Sequence, residues 1–237
     1  MKCALFGYGR AGKIHYSNIK ENTHLELKYI LDKRVDEVHN ETGCCETGCS
    51  VTDNLQVILD DKEIELIIIC TPTLLHYNQV IKSLNHNKHV LCEKPISNNI
   101  KEVEECYDLA IKNSLVLLCA FNRRFDPSII NIRNQINDNK IGKVHNILTI
   151  SRDYPYPYPI YDYLKISSGL FYDCAVHDID YVNWLVNDKP ISVFVVGNKV
   201  LGEERNANTL DNAIILLEYS DGKIANINLS RISENYD

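Results

Sequence analysis

Lys2-Cys3-Ala4-Leu5-Phe6-Gly7-Tyr8-Gly9-Arg10-Ala11-Gly12 is an apolar run of strand length that breaks into a G-x-G-x-x-G turn and continues with helical period. In a strand-turn-helix unit each of these glycines has its own task. Gly7 permits the tight turn, Gly9 lets backbone approach a pyrophosphate, and Gly12 brings helix and strand together. Tyr8, Arg10 and Ala11 complete a turn whose N–H groups, at the positive end of a helix dipole, attract an anion. A second apolar run closes on Leu31-Asp32, which puts Asp32 20 residues beyond Gly12, where an acid binds ribose hydroxyls. The stretch therefore predicts a dinucleotide site at the head of an α/β domain. Asp32 favours NAD, because a 2′-phosphate about 4 Å from a carboxylate costs up to roughly 4 kcal/mol at an effective dielectric near 20. Lys33 and Arg34 follow at once and can pair with such a phosphate, so NADP is the second choice.

Outward from this turn, short apolar runs alternate with helical segments, the pattern of βαβ units and a parallel sheet buried on both faces. Strands are predicted at 2–6, 26–32, 64–70, 88–92 and 115–121, with helices at 10–22, 33–41, 53–60, 74–87 and 99–113. Asp53 and Asn98 read as N-caps. A Rossmann domain over residues 1–122 is expected. Beyond it the pattern predicts a helix at 127–138, a strand at 143–152, a Tyr/Pro segment, a helix at 169–186, and strands at 191–201, 210–219 and 223–232. Asp221-Gly222 is a hairpin signal, and Ala225, Ile227 and Leu229 alternate with polar residues, as in a strand covered on one face. Residues 123–237 are thus expected to form an α+β domain with an open, mostly antiparallel sheet.

Composition narrows the function class. A net charge of −7 disfavours nucleic acid as a partner. No apolar run approaches the roughly 20 residues that span a bilayer, so no membrane is expected. Nine cysteines in 237 residues are too few for a disulfide scaffold, which points to a reduced, cytoplasmic compartment. Cys44, Cys45 and Cys49 lack a second Cys/His pair at zinc-site spacing, so no metal is assigned.

Five elements in order carry a resemblance: Gly7 to His15, Thr71-Pro72 with His76, Cys92-Glu93-Lys94-Pro95, Phe121-Asn122-Arg123-Arg124-Phe125-Asp126, and Asp173 to Asp180 with His177. The whole chain resembles the Gfo/Idh/MocA oxidoreductases, and the inositol 2-dehydrogenase branch in particular. The resemblance implies a dehydrogenase acting on CH–OH groups, with Lys94, Asp173 and His177 as its catalytic set and a cyclic polyol or sugar as substrate. It also implies that Thr71, Pro72, His76, Glu93, Lys94 and Asn122 line the cofactor and that Arg123 and Tyr236 contact substrate. Asp153, near the end of a strand, is a further hydroxyl acceptor.

The residues support this chemistry in their own right. Asp173 and His177, four apart on a helix, share a face. A histidine accepts a hydroxyl proton at neutral pH, and a lysine favours a developing alkoxide. The C-terminal residues, Ser230 to Asp237, resemble the middle of the family's second domain, so that domain is expected to be incomplete. The competing expectation is a truncated, weakly active or inactive nucleotide-binding member of the family. Family oligomers pack through this same sheet, which makes a homo-oligomer the expected assembly.

Overall fold

The computed structural model describes residues 1–44, 48–153, 169–200 and 210–233. Two compact units emerge, Met1–Ala120 and Phe121–Asp237.

Unit 1 runs β1 Lys2–Phe6, α1 Arg10–Glu21, β2 Glu26–Leu31, α2 Val35–Thr42, β3 Ser50–Thr52, α3 Leu55–Asp60, β4 Leu66–Ile69, α4 Thr73–Asn85, β5 His89–Cys92, α5 Ile100–Lys112 and β6 Leu117–Cys119. Its sheet has the order β3-β2-β1-β4-β5-β6, with every pairing parallel. Strand order reverses between β1 and β4, the switch point outside whose carboxyl ends ligands bind in such folds. Leu5, Phe6, Ile30, Ile67 and Ile69 are buried to 0% exposure. Each contributes roughly 1.5–3 kcal/mol by leaving water, which is why the strands read as unbroken apolar runs. At the opposite edge the Lys88 ammonium is buried and donates to Asp61 O at 2.6 Å and Ile64 O at 2.7 Å. Burial lowers its pKa.

Two expectations need correction here. Ser50–Thr52 forms a strand that the apolar pattern does not announce, pairing with Tyr29 to Leu31 at the sheet edge. The helix caps fall one residue later than predicted. Asn54 accepts from Gln56 N and Asn99 from Lys101 N, both at 3.0 Å, in place of Asp53 and Asn98.

Unit 2 opens with a 3₁₀ turn, Asn122–Phe125. Asp126 then caps α6, Pro127–Asn137, by accepting from Ser128 N at 2.8 Å and Ile129 N at 3.2 Å, with proline at the first helical position. After β7, Asn146–Arg152, comes a π turn at Phe171–Ala175 that leads directly into α7, Val176–Val186. The helix stops where Asn187 adopts the left-handed conformation. β8 Pro190–Asn198, β9 Asn212–Tyr219 and β10 Ile224–Ser230 complete a sheet of order β7-β10-β9-β8. Two pairings are antiparallel and β7·β10 is parallel, so the sheet is mixed.

Alternation sorts the strand residues by face. Ala213, Ile215, Leu217, Ala225, Ile227 and Leu229 pack with Val182 and Leu185 of α7 into one core. Leu148 and Ile150 of β7, Phe194 and Val196 of β8, and Ile214 and Leu216 of β9 lie at 41% to 62% exposure. By register, the last four share a face with Asn226 and Asn228, leaving that side of the sheet apolar and open.

Candidate functional site

The glycine turn of unit 1 is built by backbone packing. Gly7, at φ +87°, donates its N–H to Leu31 O at 2.7 Å, and a Cβ there would meet Cys70 O at 2.8 Å. A Cβ on Gly12 would lie 2.1 Å from Gly7 O, so α1 can approach the turn this closely only with glycine. Gly9 caps α1 without a side-chain hydrogen bond, and a Cβ on it would meet nothing within 4 Å. The N-terminus of α1 thus suits an anionic group with a backbone cradle.

Asp32 lies beside this turn. Its carboxylate accepts from Tyr8 N at 2.8 Å, Arg34 N at 2.9 Å and Arg34 Nε at 3.1 Å. Burial acts to raise its pKa, but the bonds from Arg34 and Tyr8 outweigh it and hold the carboxyl below its ordinary value. Arg34 also bonds Glu37 and Tyr8 O, while Lys33 is exposed. Tyr8 is buried edge-on against Tyr16, with ring centroids 5.4 Å apart, and Arg10 is exposed.

Past β4, Thr71 Oγ1 donates to Gln79 Oε1 at 2.5 Å and Pro72 caps α4. His76, on α4, is enclosed by the loops that follow β4 and β5. It is 1% exposed, and its ring nitrogens lie 2.7 Å from Thr71 O and 2.8 Å from Pro95 O, so it staples two loops together. Glu93 is bound by His15 at 2.8 Å. Burial pushes its pKa upward, but His15 and Lys94 more than reverse this and leave it lowered. Lys94 follows on the same loop and precedes Pro95 through a cis peptide.

Unit 2 gathers a second set of groups. Asp173 lies within the π turn and His177 at the start of α7, so the two expected partners are carried by one continuous helical segment. Asp173 Oδ2 pairs with Arg231 at 3.2 Å, and the Arg231 side chain is 4% exposed. Arg231 also touches Cys174 Sγ at 3.2 Å, and that thiol donates to Asp153 Oδ2 at 3.3 Å. Burial pushes the Cys174 thiol up to about 12 against the opposing charge of Arg231. His177 presents its ring edge-on to Phe121, with centroids 6.5 Å apart. Arg123 donates to Asp178 Oδ1 at 3.1 Å and lies over the Tyr181 ring at 5.5 Å. Asp178 is fully buried and also accepts from Ser151 at 2.8 Å.

Residues 1–121 match the family model described as an oxidoreductase family with an NAD-binding Rossmann fold, and residues 129–237 match its C-terminal domain, GFO/IDH/MocA. The chain belongs to the GFO/IDH/MocA oxidoreductase family. It is 31% identical to the myo-inositol 2-dehydrogenase of Thermotoga maritima, over 98% of this chain and 69% of that protein. It is 32% identical to the inositol 2-dehydrogenase of Rhizobium meliloti, over 98% and 69%. A scyllo-inositol dehydrogenase from Lactobacillus casei, solved with NAD(H) and scyllo-inositol, superimposes with a TM-score of 0.86 at 26% identity, over 98% of this chain and 70% of that one. The chain spans about two thirds of the length of the relatives it matches.

In this family setting, the residues named from sequence fall into two groups. Gly7, Gly9, Asp32, Thr71, Pro72, Glu93 and Lys94 lie on the turns that follow β1, β2, β4 and β5 of unit 1, and Gly12 lies in the first turn of α1. Asn122 and Arg123 lie in the 3₁₀ turn of unit 2, and Asp153 follows β7, its N–H bonded to Ser230 O at 2.8 Å. Tyr236 and the Tyr/Pro segment lie outside the described residues. Cys44 and Cys49 are buried with Sγ atoms 2.8 Å apart, and Cys45 is outside the described residues. Sequence reasoning missed Arg231 and Asp178. The signal for Arg231 was a charged residue at a position that strand alternation would bury, and for Asp178 one on the buried face of a helix.

Proposed function

We propose that this chain oxidises a secondary hydroxyl of a cyclic polyol of the inositol class, with NAD as hydride acceptor. The observation that carries this is the Asp173 and His177 pair on one helical segment, its carboxylate held by Arg231. The relatives named as inositol dehydrogenases supply the substrate class. Bound NAD⁺ would supply the hydride acceptor, with the α1 N-terminus holding its pyrophosphate and Asp32 its ribose hydroxyls. His177 takes the hydroxyl proton as the carbon loses its hydride, a role usually contributing 10²- to 10⁴-fold. Asp173 stabilises the imidazolium that results, and Lys94 stabilises developing alkoxide. Residues 1–122 form the cofactor domain and 123–237 the substrate domain, where Arg123, Asp153 and Tyr236 bind the polyol.

We further propose a cytoplasmic protein that pairs with a second copy through the open sheet face of Phe194, Val196, Ile214 and Leu216. The cysteines among the described residues are all thiols, as a reducing compartment requires.

The test is NAD⁺ reduction, followed by absorbance, with a panel of inositols and sugars. The expected result is polyol-dependent turnover that Lys94→Ala and His177→Ala each reduce by about 10²-fold or more. Undiminished turnover in both variants would overturn the assignment. The same measurements on a longer form of the protein show whether additional chain alters activity.

A further inference from the structure

We infer that Arg231 is a positioning residue for the proton-transfer pair, setting the charge that His177 feels by holding Asp173; this rests on the proposed dehydrogenase reading. Arg231 follows directly on β10 and is anchored there through its N–H, which donates to Asp211 O at 3.0 Å. Its guanidinium is 4% exposed and reaches Asp173 Oδ2 at 3.2 Å and Cys174 Sγ at 3.2 Å, two consecutive residues of the π turn. Cys174 in turn reaches Asp153 at the end of β7. Arg231 thus bonds the carboxylate expected to serve His177, and through Cys174 its guanidinium is linked to the end of β7 as well.

The chemistry follows from the charges. An Asp173 carboxylate without a cation on it, in its half-buried setting, would favour the imidazolium form of His177 before substrate arrives. A buried guanidinium on the carboxylate offsets part of that field, and it fixes the carboxylate in one rotamer through a charge-assisted bond. Arginine suits this role, since its planar fork stays charged when buried and can meet oxygen and sulfur at once. The other charged groups of this corner are Asp153 on the β7 end, Asp211 before β9, Asp178 within α7 and Arg123 on the 3₁₀ turn. All four are unchanged in every variant below.

The deciding measurement is the titration of the His177 imidazole by NMR in the intact protein, without substrate. Asp173→Asn should lower its midpoint, and Arg231→Gln should raise it, each by about half a pH unit or more. Arg231→Lys, which keeps the charge, should titrate close to wild type. A role confined to folding would not produce opposite signs. If the Arg231→Gln midpoint coincides with wild type, the inference fails. If Arg231→Gln does not fold, Arg231→Met, which removes the charge but keeps the apolar stem packed, is titrated in its place and should also raise the midpoint; a midpoint equal to wild type overturns the inference. In turnover, Arg231→Gln should lower kcat about tenfold with KM for NAD unchanged, and Arg231→Lys should recover most of it. A wild type that reduces no NAD with any polyol defeats the dehydrogenase reading alone, because the imidazole titration still decides the role of Arg231.

Discussion

The Tyr8 N–H donates to Asp32 Oδ2 at 2.8 Å, so one carboxylate is tied both to the glycine turn and to the end of β2. Arg34 supplies three further bonds to it, from its N–H and its guanidinium, so under the proposed NAD reading a ribose would displace part of the Arg34 contact. Asp32→Ser should weaken NAD binding by about 10- to 100-fold, the worth of hydrogen bonds to a charged group. It should weaken NADP less, because the like charge facing a 2′-phosphate is gone. Calorimetric titration of both cofactors checks this, and an unchanged NAD/NADP ratio would count against Asp32 as the selectivity determinant.

Two glycines of the same turn should separate folding from binding. A Cβ on Gly12 would meet backbone at 2.1 Å, whereas one on Gly9 meets nothing within 4 Å. Gly12→Ala should therefore lower the melting temperature with or without NAD. Gly9→Ala should melt like wild type when free yet lose most of its stabilisation by NAD. Thermal melts across a cofactor series distinguish these outcomes.

Acid should loosen unit 1 at its amino edge. Lys28 hydrogen-bonds Asp61 and, against burial, holds its carboxyl at about 2. A carboxyl lowered in the folded state contributes stability fully above its unfolded pKa of about 3.9 and loses it as pH falls toward 2. Lys28→Met should lower stability by its full amount near neutrality, lose that difference as pH falls toward 2, and move the acid-unfolding midpoint to higher pH. Circular dichroism between pH 5 and about 1.5 reads this directly.

Arg123 should show two separable effects. Its partner Asp178 is 0% exposed, so Arg123→Ala leaves a carboxylate buried without this cation and should destabilise unit 2 by roughly 3 kcal/mol. Under the proposed polyol contact, Arg123→Lys should retain more of the stability and still raise KM for the polyol. Denaturant melts and steady-state kinetics together test the pair, and an unchanged KM in a folded Arg123→Lys protein would remove Arg123 from the substrate site.

The residues that were legible in the sequence are those whose physics is local. The Gly7 to Gly12 turn, the strands carrying Leu5 and Ile67, and the Asp221-Gly222 hairpin all follow from short-range sterics and apolar spacing. β3 escaped notice because it is three residues long, lies at the sheet edge and keeps Val51 only half-buried. The π turn escaped because the shift from i→i−4 to i→i−5 bonding leaves no mark on apolar periodicity. Arg231 and Asp173 lie 58 residues apart and Arg123 and Asp178 lie 55 apart, so no local window shows either pairing. The family resemblance named His76 beside Thr71, but the Pro95 carbonyl that its ring also meets, 19 residues on, has no local signal.

The open face of the unit 2 sheet carries a thermal signature. Phe194, Val196, Ile214 and Leu216 can hold a partner chiefly by releasing water, with Asn226 and Asn228 beside them as the polar exceptions. Association on such a surface is entropy-driven near room temperature, so it should tighten as the solution warms and slacken in the cold. Among the described residues no row of like charges lies across it, so added sodium chloride should change it little. Cold storage, usually chosen to preserve a protein, would then be the condition most apt to take such an assembly apart.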